Sequence, residues 1–299
     1  LEDRIKKHEL TRADKEADRT RHVKTLNANT GPVFLTYKAV GSINDLVDEI
    51  KKTKPVYDFV SPDGVGHTFW TIVDKEKMAF IEKAFSQVSC LYVADGHHRS
   101  ASGVNVGKQR RESNPSHKGN EEYNFFMAVL FPHDQLQILD YNRVVKDLNG
   151  LSKDEFLAKV SEFFEVVPKQ QNQVKPNKAK NFGMFLDGKW FSLTAREGTY
   201  PHNDPVKSLD VAILQNNLLS KVLGVGDPRT DKRIDFVGGI RGLGELEKRV
   251  GEGWEVAFSL FPTSIEQLMA IADAGKIMPP KSTWFEPKLR SGLVIHMLE

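Results

Sequence analysis

The chain has one cysteine in 299 residues, Cys90, so it can form neither an internal disulfide nor a cysteine-based metal cluster. Its neighbours Leu91, Tyr92 and Val93 mark it as a buried, inert thiol. An excess of either charge is also missing. With 42 basic and 40 acidic residues the formal charge is +2, which gives no global electrostatic footprint for nucleic acid. No apolar run approaches the roughly 20 residues of a membrane span, and no secretory leader opens the chain, so a cytoplasmic protein is expected. Several motifs of known chemistry are absent as well. There is no HExxH pair and no Gly-x-Ser-x-Gly elbow, and "GVNVGKQ" (103–109) lacks the glycine spacing and the hydroxyl residue of a P-loop. No internal repeat or heptad pattern is present.

What remains is a globular composition, 39% hydrophobic and 27% charged, at a length that suits about two domains. We place them at 1–150 and 151–299. The first 25 residues are densely charged and predict an exposed helix or arm. A strand over 31–37 and a helix over 42–52, with Ser42 and Asp45 at its cap, follow. Residues 56–74 read as a hairpin around Pro62-Asp63-Gly64, and 75–86 as a helix. Residues 108–122 contain no apolar residue and predict a mobile loop, a candidate lid. Two apolar stretches, 123–132 and 136–145, predict a pair of buried strands.

Further along, Ser152 and Glu155 form a capping box, with Phe156, Val160, Phe163 and Phe164 on one face. Residues 168–181 read as a polar connection. A second hairpin turns on Asp187-Gly188, a helix is expected over 206–223, and Ser264 with Gln267 caps another. A closing strand is expected in "SGLVIHML". Strands, helices and hairpins intermix, so the predicted class is α+β.

One stretch concentrates chemistry. "CLYVADGHHRSASG" (90–103) is a buried strand that ends on Asp95-Gly96 and enters a helix at His97-His98-Arg99. Free N–H groups and the dipole at a helix start favour an anion. Arg99 adds a fork of donors matched to phosphate. The histidines can donate hydrogen bonds or move protons, and Asp95 can cap the helix or help hold magnesium. Each residue alone has a plain structural reading as cap, packed histidine or surface charge; four in five positions point to a phosphate site. "FVGGIRGLGELEKRV" (236–250) could cradle a second anion beside Arg241, although close strand–helix packing explains its glycines equally well.

Together with "IKKHELTRADKEADR", "NANTGPVFLTY", "GVGDPRTDKRIDFVGG" and "MPPKSTWFEPKLRSGLVIH", the motif resembles the bacterial and archaeal domain-of-unknown-function family 1015. That resemblance runs from about Ile5 to His296. It implies that a further segment precedes the point where this chain begins, consistent with an opening that lacks methionine. The Asp95–Arg99 motif is also similar to that of the ParB and sulfiredoxin superfamily. The implied fold is a mixed sheet with helices followed by a second α+β region. His97 stands where sulfiredoxins carry their cysteine, and only Gly96 and Arg99 match the ParB pattern.

The free-serine kinase branch carries the full Asp-Gly-His-His-Arg motif. What it implies is a nucleotide-dependent phosphotransferase using ADP or ATP, with magnesium, on a small hydroxyl substrate. In that reading Glu9, Asp95, His97 and His98 are catalytic. Gly96, His98, Arg99, Ser100 and Lys15 bind the nucleotide phosphates, and Arg229, Asp231 and Arg233 bind substrate. Asp95 is the magnesium ligand, and Glu9 supplies the base. Glu9 and Lys15 read equally well as a solvated helix face, and residues 227–235 as an internal salt-bridge network. The alternatives are a ParB-like nucleotide-binding regulatory module and a phosphatase reusing the same pocket. No nucleic-acid or membrane partner is expected.

Overall fold

Two sheets organise a computed structural model that describes residues 3–169 and 173–299. The first is a mixed four-stranded sheet in the order Ile5–Lys6, Leu91–Asp95, Val33–Tyr37, Ala128–Pro132. Its two central strands are buried on both faces, and successive side chains alternate between them. Phe34, Tyr92 and Ala94 join the main core, while Val33, Leu35 and Val93 form a separate cluster with Phe126 and Leu130. The second sheet has six strands, in the order Phe164–Lys169, Lys189–Ala195, Asn181–Leu186, Val256–Leu260, Tyr141–Val145, Ile234–Gly238. Every pairing in it is antiparallel. The mixture of a mixed sheet, an antiparallel sheet and helices makes the chain α+β, as expected.

Local signals performed well. The hairpin at 62–64 joins Tyr57–Val60 to Gly66–Phe69, and Asp187 and Gly188, both at positive φ, turn the second. Helix Lys75–Ser86 is capped by the Asp74 side chain. Both capping boxes form, Ser152 with Glu155 and Ser264 with Gln267. Cys90 is partly buried, its Sγ 3.2 Å from the Tyr92 hydroxyl.

Several expectations need correction. The helix near residue 42 spans Gly41–Ile50 and has Val40 at its N-cap, with no cap from Ser42 or Asp45. Residues 108–113 are not a loop. Helix His97–Ser113 continues through them, because Lys, Gln, Arg and Glu are good helix formers on a solvent-facing end. Stretches 123–132 and 136–145 do not pair with each other, since Ala128–Pro132 and Tyr141–Val145 belong to different sheets. Phe164 lies on a strand after its helix ends at Ser161, and Phe163 is only partly buried. The helix expected over 206–223 is a short α-turn, Asp210–Leu214, continued by a π-helical turn, Gln215–Ser220. Within the polar stretch 168–181, residues 170–172 lie outside the described residues.

The last residues return to the first sheet's side of the molecule. Trp284–Glu286 pairs with Gln137–Leu139, and His296–Met297, all that forms of the expected closing strand, pairs with Ala28–Asn29. Between them Gly292 donates its N–H to the Thr30 carbonyl at 2.7 Å. This return carries Lys288 and Ser291 to the end of strand Leu91–Asp95.

Candidate functional site

The strand that ends on Asp95 is irregular where it matters. Phe34 pairs with Asp95 but Leu35 with Val93, so Ala94 is the extra residue of a bulge just before the acid. Bulges re-aim the side chains beside them. Gly96 follows at φ +92 as the N-cap of helix His97–Ser113, with no side-chain cap. Asp95 is therefore not the N-cap. Its carboxylate accepts from the Gly96 N–H and from Lys288 Nζ, the latter at 3.1 Å. Burial works to raise the Asp95 pKa, but the Lys288 charge and hydrogen bond, helped by Arg99, outweigh it and the net shift is downward.

A cavity of about 460 Å³ opens at this helix start. Gly96, His98, Arg99, Asp95 and Lys288 line it, joined by Arg19 and His22 from helix Ala13–Leu26. The Arg99 guanidinium lies against the backbone. A methyl group added at Gly96 would sit 2.9 Å from its Nε, and one at Gly31 3.4 Å from its Nη1. Among the described residues Arg99 has no ion-pair or side-chain hydrogen-bond partner, so its donors are free for an anion. His98 Nε2 accepts from the Arg12 N–H at 3.1 Å, which ties the site to the start of helix Ala13–Leu26.

A second cavity, about 150 Å³, lies next to the first and shares Asp95 and Lys288 with it. His8, Glu9, His97, Tyr141, Lys281 and Trp284 are among its lining residues. His8 reaches it because Ile5–Lys6 adds a short parallel strand beside Leu91–Asp95. The two neighbouring histidines of the motif thus part company, His97 to the smaller cavity and His98 to the larger, as adjacent helical positions must.

Electrostatics in the smaller cavity follow from burial. Desolvation, then the neighbouring His97, pushes His8 down to about 3 against a hydrogen bond to the Val93 carbonyl. Desolvation likewise lowers His97 to about 4 despite Asp95. Both rings are neutral at physiological pH. Glu9, with Oε2 at 3.8 Å from His97 Nδ1, is raised by burial, which Lys281 and His98 only partly offset.

Other residues singled out in the sequence lie elsewhere. Lys15 is exposed on helix Ala13–Leu26 and lines neither cavity, and Ser100 contributes a backbone N–H to the Gly96 carbonyl. Arg229 pairs with Asp227 at 2.8 Å and Arg233 with Asp147 at 3.0 Å. Asp231 accepts from the Gly226 N–H, so this loop is held by its own contacts and by Asp147, and it lines neither cavity. Gly238 and Gly239 pack against Trp284 and Asp140, and Arg241 faces Glu245. Sequence reasoning assigned no chemistry to His8, Arg19, His22, Lys281, Lys288 or Ser291. Their only signal was membership of the charged opening arm or of the motif-bearing C-terminal stretch.

No curated protein matches the chain. Among solved structures, SbnI with a C-terminal truncation, from Staphylococcus aureus, is similar over 99% of this chain and 85% of that one, with 12% identity and a TM-score of 0.52. That likeness concerns the fold. A free serine kinase mutant in complex with AMP is similar over 95% of this chain and 85% of its own, at 15% identity and a TM-score of 0.48. A conserved hypothetical protein from Pyrococcus furiosus covers 97% and 90%, also at 15% identity, with a TM-score of 0.45. The family described as Protein of unknown function (DUF1015) matches residues 1–212, and the chain belongs to that family.

Proposed function

We propose that the protein is a nucleotide-dependent phosphotransferase that moves a phosphoryl group from ADP or ATP to the hydroxyl of a small substrate, in the manner of a free L-serine kinase. One observation carries the reading: a large phosphate-suited cavity and a small acid-bearing cavity meet at a common wall made by Asp95 and Lys288. The larger accommodates a nucleotide, its phosphates held by the N–H groups of the helix start, Arg99 and His98. The smaller accommodates the acceptor.

In the transfer the acceptor oxygen forms a new bond to phosphorus and the bond to the departing nucleotide breaks. The hydroxyl proton passes to Glu9, whose raised pKa suits a base that must later release it. Lys288 stands where charge develops between the two cavities. Asp95 is the one carboxylate lining the larger cavity among the described residues. With phosphate oxygens it would hold a magnesium ion, which would neutralise phosphate charge. We assign the phosphate site to the 1–150 region, in a ParB/sulfiredoxin-like arrangement suggested by the Asp95–Arg99 motif, and a cytoplasmic setting to the reaction.

Calorimetric titration with ADP, ATP and CTP in magnesium buffer, beside Arg99→Ala, tests this reading, followed by a transfer assay with L-serine. Binding that weakens at least tenfold in the variant, about 1.4 kcal/mol or more, and phosphoserine formation are expected. Binding indifferent to Arg99 overturns the phosphate site. Tight binding without transfer to L-serine or other small hydroxyl compounds overturns the transferase and leaves a regulatory nucleotide-binding module.

A further inference from the structure

The smaller cavity contains two buried imidazoles whose bonding capacity is unspent. His8 is 2% exposed and His97 8%. His8 Nδ1 and His97 Nε2 have no hydrogen-bond partner among the described residues. Buried polar atoms left without partners are costly, so two of them on adjacent rings call for an occupant. The rings meet edge to face with centroids 4.6 Å apart. His8 Nδ1 has no partner among the described residues and is open to a ligand. Glu9 adds a carboxylate beside them, and one ligand atom from each of His8, Glu9 and His97 lies within 4.8 Å of the other two.

We propose that His8, Glu9 and His97 form a binding site for a divalent transition-metal ion of the zinc, cobalt or iron(II) class. The donor set decides the class. Two neutral imidazoles and one carboxylate suit borderline first-row ions, whereas magnesium and calcium take oxygen ligands. Metal–ligand bonds of about 2.0–2.2 Å require the three donors to close in by about an ångström, within reach of side-chain rotation. The adjoining cavity of about 150 Å³ leaves the remaining coordination positions open to water or a substrate oxygen. One Glu9 oxygen serves the ion, which weakens the other as a proton acceptor, so the metal-loaded site and the base role given to Glu9 above belong to different states of the chain. The site goes beyond the phosphotransferase reading and needs no nucleotide.

The test titrates the chelator-stripped chain with Co²⁺, then with Zn²⁺, in the absence of nucleotide. One equivalent is expected, with visible bands of a low-coordinate Co²⁺ site that Zn²⁺ bleaches. His8→Ala and His97→Ala should each weaken binding at least 100-fold and Glu9→Gln at least tenfold, while His202→Ala, whose ring pairs with Glu197 and lines neither cavity, keeps full affinity. Circular dichroism confirms that each variant is folded. Should an alanine variant fail to fold, a Zn²⁺-dependent rise in the Tm of the unaltered chain, reduced in Glu9→Gln, supplies the same answer. Binding no stronger than in the His8→Ala/His97→Ala double variant, or a Co²⁺ spectrum of the hexa-aqua ion, overturns the site and leaves ordered water between the rings. With nucleotide absent, failure of metal binding and failure of phosphoryl transfer are read separately.

Discussion

Lys288 Nζ lies 3.1 Å from Asp95 Oδ2, an ion pair joining residues 193 positions apart at the wall between the two cavities. The same ammonium group sits 4.9 Å from the Trp284 ring centroid, so the aromatic face and the carboxylate hold it jointly. Both partners are partly exposed, at 45% and 40%, which limits the pair's worth to stability. Its position between the two cavities gives it, in the proposed transfer, a place from which a cation would face phosphate on one side and acceptor on the other.

Lys288→Met keeps the aliphatic stem over Trp284 and removes the charge. Thermal unfolding is expected to change by less than about 1 kcal/mol, whereas the transfer rate to a hydroxyl acceptor falls at least tenfold. Initial rates measured beside a melting curve separate the two effects. A rate equal to that of the unaltered chain removes Lys288 from the reaction.

Gly96→Ala introduces two strains at once. At φ +92 a side chain is disfavoured by about 1–2 kcal/mol, and the new methyl would lie 2.9 Å from Arg99 Nε and 3.0 Å from Nη2. Gly64→Ala is the matched control, with φ +81 and nothing within 4 Å of the added carbon. Urea unfolding is expected to show a loss in both variants. Nucleotide affinity should fall only in Gly96→Ala, because only there is the guanidinium pushed aside. Equal affinities in the two variants refute a role in binding for the Arg99 guanidinium packed against Gly96.

Asp95 to Arg99 could be read from the sequence because the geometry that unites them is local: a strand end, a left-handed glycine and the first turn of a helix. The turns at Asp63-Gly64 and Asp187-Gly188 and the boxes at Ser152 and Ser264 were legible for the same reason. Lys288 was not. Its role depends on a chain return that no periodicity encodes. His8 was misjudged by its company, since a lysine-rich arm reads as solvated until the two-residue strand beside Leu91–Asp95 buries one of its residues. The apolar stretches at 123–132 and 136–145 were correctly seen as containing strands. Which sheet each joins is decided by long-range packing that the stretches themselves do not carry.

Asp273 predicts a pH effect away from the cavities. It accepts from Lys6 at 2.8 Å and from the Tyr92 hydroxyl at 2.9 Å, tying helix Ile265–Asp273 to the first sheet. Burial works to raise its pKa, but the Lys6 and Tyr92 hydrogen bonds outweigh it and bring it below the ordinary 3.8. A depressed carboxyl stabilises the fold above its unfolded value and loses that contribution as pH falls through the folded one. Asp273→Asn should therefore lower Tm by a few degrees at pH 7 and by much less at pH 3. A gap of constant size across that range rules out ionisation as its source.

Gly238 links the glycine-rich turn to the site by packing rather than by anion binding. A methyl added there would overlap Cε3 and Cζ3 of Trp284, the ring beneath Lys288 and in the wall of the smaller cavity. The Gly238 backbone itself tolerates alanine, having φ −64, so the whole cost arises from the ring. Overpacking of this kind typically costs about 1–3 kcal/mol, and relieving it requires Trp284 to move and Lys288 to follow. Gly238→Ala is thus expected to lower both stability and transfer, with phosphate affinity in the larger cavity less affected than the rate. Introducing Gly238→Ala into the Lys288→Met chain separates the routes. If Gly238→Ala slows transfer through Lys288, it should add little further loss of rate there while still costing stability, and a full additional loss of rate would show that Trp284 acts on the reaction independently of Lys288.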